Sequence, residues 1–187
     1  MKSNKTEDNE VSTKCQRSLG TTKSWNKQQN EINYSTTDPL RAKKISEFIL
    51  KLPGIGYGST ITDATACIGG NTKSFAEFFN KVQAIELNEQ YYKILKKSLP
   101  NVKCFLEDCL DIVPKLEQNI IFLDPPWGGP EYKQKREVNL TLSGKPLFEI
   151  IKEFKKYCTF IVLKIPYNCR INGLYYLRMG NIKITVI

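Results

Sequence analysis

Residues 119–133, NIIFLDPPWGGPEYK, place Asp124, Pro125 and Trp127 at the end of an apolar run, followed by two glycines and a third proline. A carboxylate and a proline-fixed backbone carbonyl are both hydrogen-bond acceptors, and an indole on a stiff turn is a flat stacking surface. Together they can hold a planar heterocycle and accept the N–H bonds of its exocyclic amine. Such an amine is a poor nucleophile because its lone pair is delocalised into the ring. Fixed acceptors align that lone pair with an electrophile. Asp before Pro also suits an ordinary turn start, but a Trp between prolines and glycines is poorly placed to be enclosed by a core. Tyr132 fits either the wall of a base pocket or packing beneath the loop.

Three earlier strand ends carry polar residues of a matching kind. In ITDATACIGGNTKSFA, Asp63 closes an apolar run, and Gly69, Gly70 and Asn71 turn the chain into a helix. Glycines there let backbone approach a ligand, with the helix N–H groups aimed at it. Glu86 ends the next strand about 20 residues on, the distance at which an acid accepts both hydroxyls of a ribose. Asp108, after the third strand, fits two roles: acceptor for an adenine amino group, or N-cap of the following helix. A glycine turn, a ribose acid and an adenine-edge acid without a phosphate-gripping loop describe adenosine without phosphate, and so S-adenosylmethionine.

The elements that must position these groups alternate. A helix opens at Thr37 or Asp38 with Pro39 in its first turn, its stripe read as Leu40, Lys44, Phe48 and Leu52 flanked by Ile45 and Ile49. STITDA, KVQAIEL, VKCFLED, NIIFLD and CTFIVLKI read as strands separated by helices, and GLYYLRMGNIKITVI as two strands around a Met-Gly-Asn turn. Unbroken apolar strands between helices predict a mostly parallel sheet covered on both faces, an α/β doubly wound domain ending in an antiparallel hairpin. Residues 1–34 are polar and charged and predict a disordered or partner-ordered arm; residues 35–187 form the domain.

The totals narrow the chemistry. The chain has 187 residues, a net charge of +9 and no histidine. The charge favours a polyanionic partner such as nucleic acid. Without histidine, Ser-His-Asp and Cys-His nucleophiles and imidazole bases are excluded. Six cysteines, none in Cys-x-x-Cys spacing, predict no zinc site and a reducing intracellular compartment. No signal-peptide core and no run of transmembrane length is present, so no membrane partner is expected.

Asp-Pro-Pro-aromatic at a fourth strand resembles methyltransferases that act on exocyclic base amines. The longer string DPPWGGPEY, taken with DATACIGGNTKSFA, resembles the RNA cap guanine-N2 methyltransferases, the trimethylguanosine synthase family. That family carries D-x-x-x-x-x-G-G-N-T-x-x-F-A ahead of [S/D]-P-P-W-G-G-P-x-Y, and the likeness spans roughly residues 35–187. It implies a class I S-adenosylmethionine-dependent methyltransferase fold with a Rossmann-like seven-stranded sheet. It further implies methyl transfer to N2 of a 7-methylguanosine RNA cap, with S-adenosyl-L-homocysteine released, no metal and a monomeric protein. By the same resemblance Asp124, Pro125 and Trp127 act in catalysis and Trp127 stacks on the base. Asp63, Gly69, Gly70 and Asn71 lie beside the methionine part of the cofactor, Glu86 meets its ribose and Asp108 its adenine.

The chain departs from that pattern in two places. The region before the first helix is short, leaving Tyr34, Thr36 and Thr37 to take part in closing over the cofactor. LKIPYN stands where a Pro-Arg-Asn-like segment is usual, so Lys164 and Asn168 either contact cap phosphates or cap the fifth strand. Three alternatives compete: an adenine-N6 methyltransferase, disfavoured by the Gly-Gly-Pro extension; a ribose 2′-O-methyltransferase using Asp124 and Lys164; and an inactive cap-binding subunit.

Overall fold

The computed structural model describes residues 36–187, so the predicted arm at 1–34, with Trp25 and Tyr34, lies outside the described residues. Helix α1 (Pro39–Ile49) is capped by Asp38, whose Oδ1 accepts from the Arg41 amide at 3.1 Å. Its buried face is Ala42, Ile45, Ser46 and Ile49, while Leu40 is 75% exposed and Lys44 points to solvent. The expected stripe is therefore displaced around the helix by about one residue. Ile45 and Ile49, expected as its flanks, are its centre, and Ser46 joins them with its hydroxyl 3.1 Å from Ala42 O and 2.7 Å from the Ser74 hydroxyl across the interface with α2.

Strands β1 (Thr60–Asp63), β2 (Lys81–Glu86) and β3 (Lys103–Leu106) alternate with α2 (Gly70–Phe78) and α3 (Glu89–Ser98). After β3 come the single turn α4 (Cys109–Ile112) and a 3₁₀ turn (Val113–Lys115). Then follow β4 (Ile120–Leu123), a 3₁₀ turn (Pro130–Gln134) and a two-stranded ribbon, β5 (Thr141–Leu142) with β6 (Lys145–Pro146), which sequence reading missed. Strands of two residues are too short to show an alternation. Helix α5 (Leu147–Phe154), β7 (Phe160–Pro166), β8 (Tyr175–Met179) and β9 (Ile182–Val186) complete the chain.

The seven-stranded sheet has the order β3-β2-β1-β4-β7-β9-β8. The first five strands in that order run parallel; β9 pairs antiparallel with both β7 and β8. Strand β4 has all four residues buried, as expected of a central parallel strand, whereas β3 lies on an edge and none of its residues is fully buried. The core divides into two main layers. On one face Ile45, Ile49, Phe75 and Phe79 of the α1–α2 side pack against Phe122, and on the other Leu147, Ile150 and Phe154 of α5 pack against Ile121 and Leu163. Phe75 meets Phe122 edge-on at 5.0 Å. This is the class I S-adenosylmethionine-dependent methyltransferase architecture. The chain runs outward through β1, β2 and β3, then returns to place β4 on the other side of β1. That reversal opens a crevice at the carboxyl ends of β1 and β4, where ligands of such sheets bind.

Candidate active site

Both strand ends at the crevice finish in an aspartate. Asp63 is 1% exposed; its Oδ2 accepts the Thr72 hydroxyl at 2.6 Å. Burial raises its pKa to about 7, with the neighbouring Asp124 and Glu86 charges adding to the effect and the Thr72 and Thr65 hydrogen bonds opposing it. Across the crevice the Asp124 amide donates to Thr65 Oγ1 at 2.7 Å, tying the start of the Pro-Pro turn to the segment leaving β1.

Gly69 caps α2 with φ of 96°, a left-handed conformation that L side chains adopt only under strain. At Gly70 the reason is space: a Cβ there would meet Thr37 O at 2.9 Å and Thr36 Cγ2 at 3.0 Å. The chain ahead of α1 therefore crosses the mouth of the α2 N-terminus in contact with it. Thr37 Oγ1 and Asn71 Oδ1 flank this crossing, both buried and both without a hydrogen-bond partner among the described residues. Buried polar atoms left unpaired are rare and costly. A ligand carrying an ammonium and a carboxylate supplies the missing partners, so these residues fit the amino-acid end of S-adenosylmethionine.

Glu86 holds the next corner. Its Oε2 accepts from the Cys67 amide at 2.8 Å and its Oε1 from the Asn88 amide at 2.7 Å. Cys67 has a φ of 50°, and its backbone N–H donates to Glu86 from that left-handed turn. Burial pushes Glu86 upward in pKa despite these bonds. Each carboxylate oxygen keeps a second lone pair, so the ribose role remains chemically open. Asp108 is the N-cap of α4, Oδ1 accepting from Leu110 N at 2.9 Å. Of its two expected roles the cap is formed; Asp108 follows β3, whose Leu106 pairs with Glu86 at the end of β2.

The fourth strand end differs most from the sequence reading. Lys164, on β7, is 6% exposed and its ammonium contacts Asp124 Oδ2; the same ammonium lies 5.2 Å from the centre of the Trp127 ring. Its side chain is turned into the fold and not toward solvent. Burial raises the Asp124 pKa; Lys164 opposes this most strongly, followed by the nearby Asn71 amide and Trp127 indole N–H. That N–H nevertheless reaches no partner with hydrogen-bond geometry among the described residues. Trp127 is half-buried and meets Tyr132 edge-on at 5.1 Å and 88°. Tyr132, 6% exposed, packs beneath the loop as part of the core, the second of its two expected places. Asn168 donates its amide to Tyr132 O at 2.9 Å and Lys135 O at 2.8 Å, latching the loop from behind rather than reaching outward. Pro125 is buried directly after Asp124. Thr65 and Thr72 were missed, although Thr72 stands within the quoted GGNT string.

Comparison with known proteins agrees with this geometry. A family model for RNA cap guanine-N2 methyltransferases matches residues 58–186. Uncharacterized protein L320 of Acanthamoeba polyphaga mimivirus is 35% identical over 118 residues, 58% of this chain and 46% of that protein. The trimethylguanosine synthase of Schizosaccharomyces pombe is 27% identical over 146 residues, 71% of this chain and 58% of that protein. The chain thus spans about half the length of the curated relatives it matches. Among solved structures, Thermus thermophilus TTHA0928 superposes with a TM-score of 0.60 at 14% identity, over 80% of this chain and 86% of that one. An RNA methyltransferase from Salinibacter ruber in complex with S-adenosyl-L-homocysteine gives 0.54 at 13%, over 77% and 89%, likenesses of fold alone. With the family match covering well over half of the chain, and with the glycine turn and the Pro-Pro-Trp turn meeting at one crevice, this chain belongs to the RNA cap guanine-N2 methyltransferase family.

Proposed function

We propose that the protein transfers a methyl group from S-adenosylmethionine to the exocyclic N2 amine of a 7-methylguanosine RNA cap. The observation that carries this reading is the setting of Asp124. One buried carboxylate is flanked by Asn71 of the glycine turn, Trp127 of the Pro-Pro turn and Lys164 of β7. The cofactor cradle and the base wall therefore share a wall. Thr37, Asp63, the Gly69–Asn71 turn, Glu86 and Asp108 would hold the cofactor, which when bound supplies an electrophilic sulfonium methyl.

The chain's own contribution is orientation. Lys164 engages Oδ2 of Asp124, leaving Oδ1 to accept one N–H of the amine while the Pro125 carbonyl accepts the other. With both N–H bonds held, the nitrogen lone pair has a single direction. Trp127, braced by Tyr132, keeps the base from tilting, and a cationic 7-methylguanine gains about 1–2 kcal/mol over the indole that neutral guanine lacks. The proton shed by the methylated amine goes to Asp124 Oδ1, whose burial makes it a better acceptor than a surface carboxylate. The Asp124–Lys164 contact also forms half of a 2′-O-methyltransferase set. Among the described residues, however, no other ion pair involves either side chain.

The test supplies radiolabelled S-adenosylmethionine with 7-methyl-GTP, GTP and a DNA oligonucleotide in parallel. Labelling of 7-methyl-GTP alone is the expected result; labelling of DNA alone overturns the reading.

A further inference from the structure

The C-terminal hairpin and the segment leaving β7 expose aromatic surface that neither the core nor the crevice uses. Tyr167 is 53% exposed and Tyr176 is 72% exposed, and β8 lies at the sheet edge. Leu177 and Met179 turn toward the α1–α2 layer, so alternation places Tyr176 and Arg178 on the opposite face. Arg178 pairs across the ladder with Lys183, whose ammonium reaches Cys169 O at 3.0 Å, so this face is the one that carries Tyr132 and Trp127. The Arg178 guanidinium stacks on Tyr167, its central carbon 3.8 Å from the ring centre.

This stack adjoins the proposed base site. Tyr167 directly precedes Asn168, whose amide holds Tyr132 O and Lys135 O in the loop behind Trp127. That loop exposes Lys133, Lys135 and Arg136. A path thus runs from Trp127 across exposed basic side chains to an arginine–tyrosine stack and a bare tyrosine. Alternating cationic groups and uncovered aromatic rings are what a single-stranded nucleic acid requires: cations for phosphates, rings for unpaired bases. An apolar protein partner has no use for the basic half of the surface, and the chain's net charge of +9 is complementary to RNA.

Resting on the cap-methylation reading for its direction, we propose that Tyr167, Tyr176 and Arg178, with the basic loop at 133–136, form a docking track for the single-stranded RNA attached to the methylated nucleotide. It sets affinity for the RNA body and leaves the chemistry on the base untouched.

The experiment measures binding and turnover separately on the full chain. Fluorescence anisotropy with a short uncapped single-stranded oligoribonucleotide compares wild type with the Tyr167→Ala, Tyr176→Ala, Arg178→Ala triple variant and with Tyr176→Ala alone. The single variant removes an exposed side chain and so guards against a triple variant that fails to fold. Loss of two stacking rings and a cation is expected to weaken binding about tenfold or more and to flatten its salt dependence. Methylation of the mononucleotide 7-methyl-GTP should stay within about twofold of wild type. Unchanged RNA binding in the triple variant, no RNA binding by wild type, or a wild-type self-association abolished by Tyr176→Ala overturns the track. If wild type methylates no cap yet binds RNA in a variant-sensitive way, the track stands and the cap reading falls.

Discussion

The ammonium of Lys164 and the carboxylate of Asp124 form a buried ion pair joining β7 to the Pro-Pro turn, with side chains only 8% and 12% exposed. Forty residues separate them in sequence, yet they meet because β4 and β7 are parallel neighbours in register from Ile120↔Phe160 to Leu123↔Leu163. Residue 164 on β7 therefore stands level with residue 124 just past the end of β4.

Removing one partner of that pair leaves an uncompensated buried charge. Lys164→Met is expected to lose about 3–5 kcal/mol of stability, and Asp124→Asn/Lys164→Met to recover much of it. Burial is then opposed only by the weaker influence of the Asn71 amide and the Trp127 indole N–H, so the Asp124 pKa climbs further and the acid limb of kcat/KM moves to higher pH. Chemical unfolding and a pH–rate profile check both; an unmoved limb means that Lys164 does not tune the carboxylate.

Asp63 makes stability depend on pH in the opposite sense to a salt-bridged acid. Its pKa is raised from 3.8 to about 7, so the native state keeps a proton that the unfolded chain has already released. Stability from this group is present at low pH and declines as pH rises through that window, by a few kcal/mol at about 1.4 kcal/mol per unit. Asp63→Asn lacks the decline. Unfolding free energies should favour the variant more at pH ~8 than at pH ~5; a difference independent of pH contradicts the burial argument.

Gly70→Ala tests whether the crossing segment belongs to the cofactor site. The new Cβ meets backbone at Thr37 O, 2.9 Å away, so residues 36 and 37 must shift. Calorimetry with S-adenosylmethionine should show affinity falling about tenfold, roughly 1.4 kcal/mol, while the fold persists. Wild-type affinity in the variant places residues 36–37 outside the site.

Asn168→Ala cuts both amide bonds that hold the loop at Tyr132 and Lys135. Each such bond contributes about 0.5–1.5 kcal/mol, so the loop loosens without unfolding the sheet. The expected signature is a KM for 7-methyl-GTP raised about tenfold with cofactor affinity unchanged, together with faster proteolysis after Lys133 or Lys135. Equal losses for both ligands point to a general defect.

Trp127→Ala should lower methylation of 7-methyl-GTP about tenfold or more and leave cofactor affinity within about threefold, since stacking on a base contributes roughly 1–3 kcal/mol. Trp127→Phe should keep part of the activity. Full activity in the alanine variant removes the stacking role.

Local pattern was enough for much of this. Strand–helix alternation, with Asp63, Glu86, Asp108 and Asp124 at successive strand ends, is legible because periodicity reports which face of an element is buried. The glycine at position 69 permits a left-handed backbone and the proline pair at 125–126 restricts it, each by its own covalent structure wherever it is placed. The buried face of α1 was misplaced because Ser46 reads as polar. Its hydroxyl is satisfied when buried by Ala42 O in the same helix and by Ser74, 28 residues away.

The amino-acid sequence by itself determined which chemical groups stand at which strand ends, and so the class of ligand they can hold. Tertiary structure decided what each group touches: Lys164 meets Asp124, Asn168 holds the loop at Tyr132 and Lys135, and Tyr132 packs edge-on against Trp127. The division follows from range. A strand's hydrophobic pattern records its own two faces, whereas the meeting of side chains from β4, β7 and the loops depends on sheet order and register, which are fixed only when the whole sheet closes.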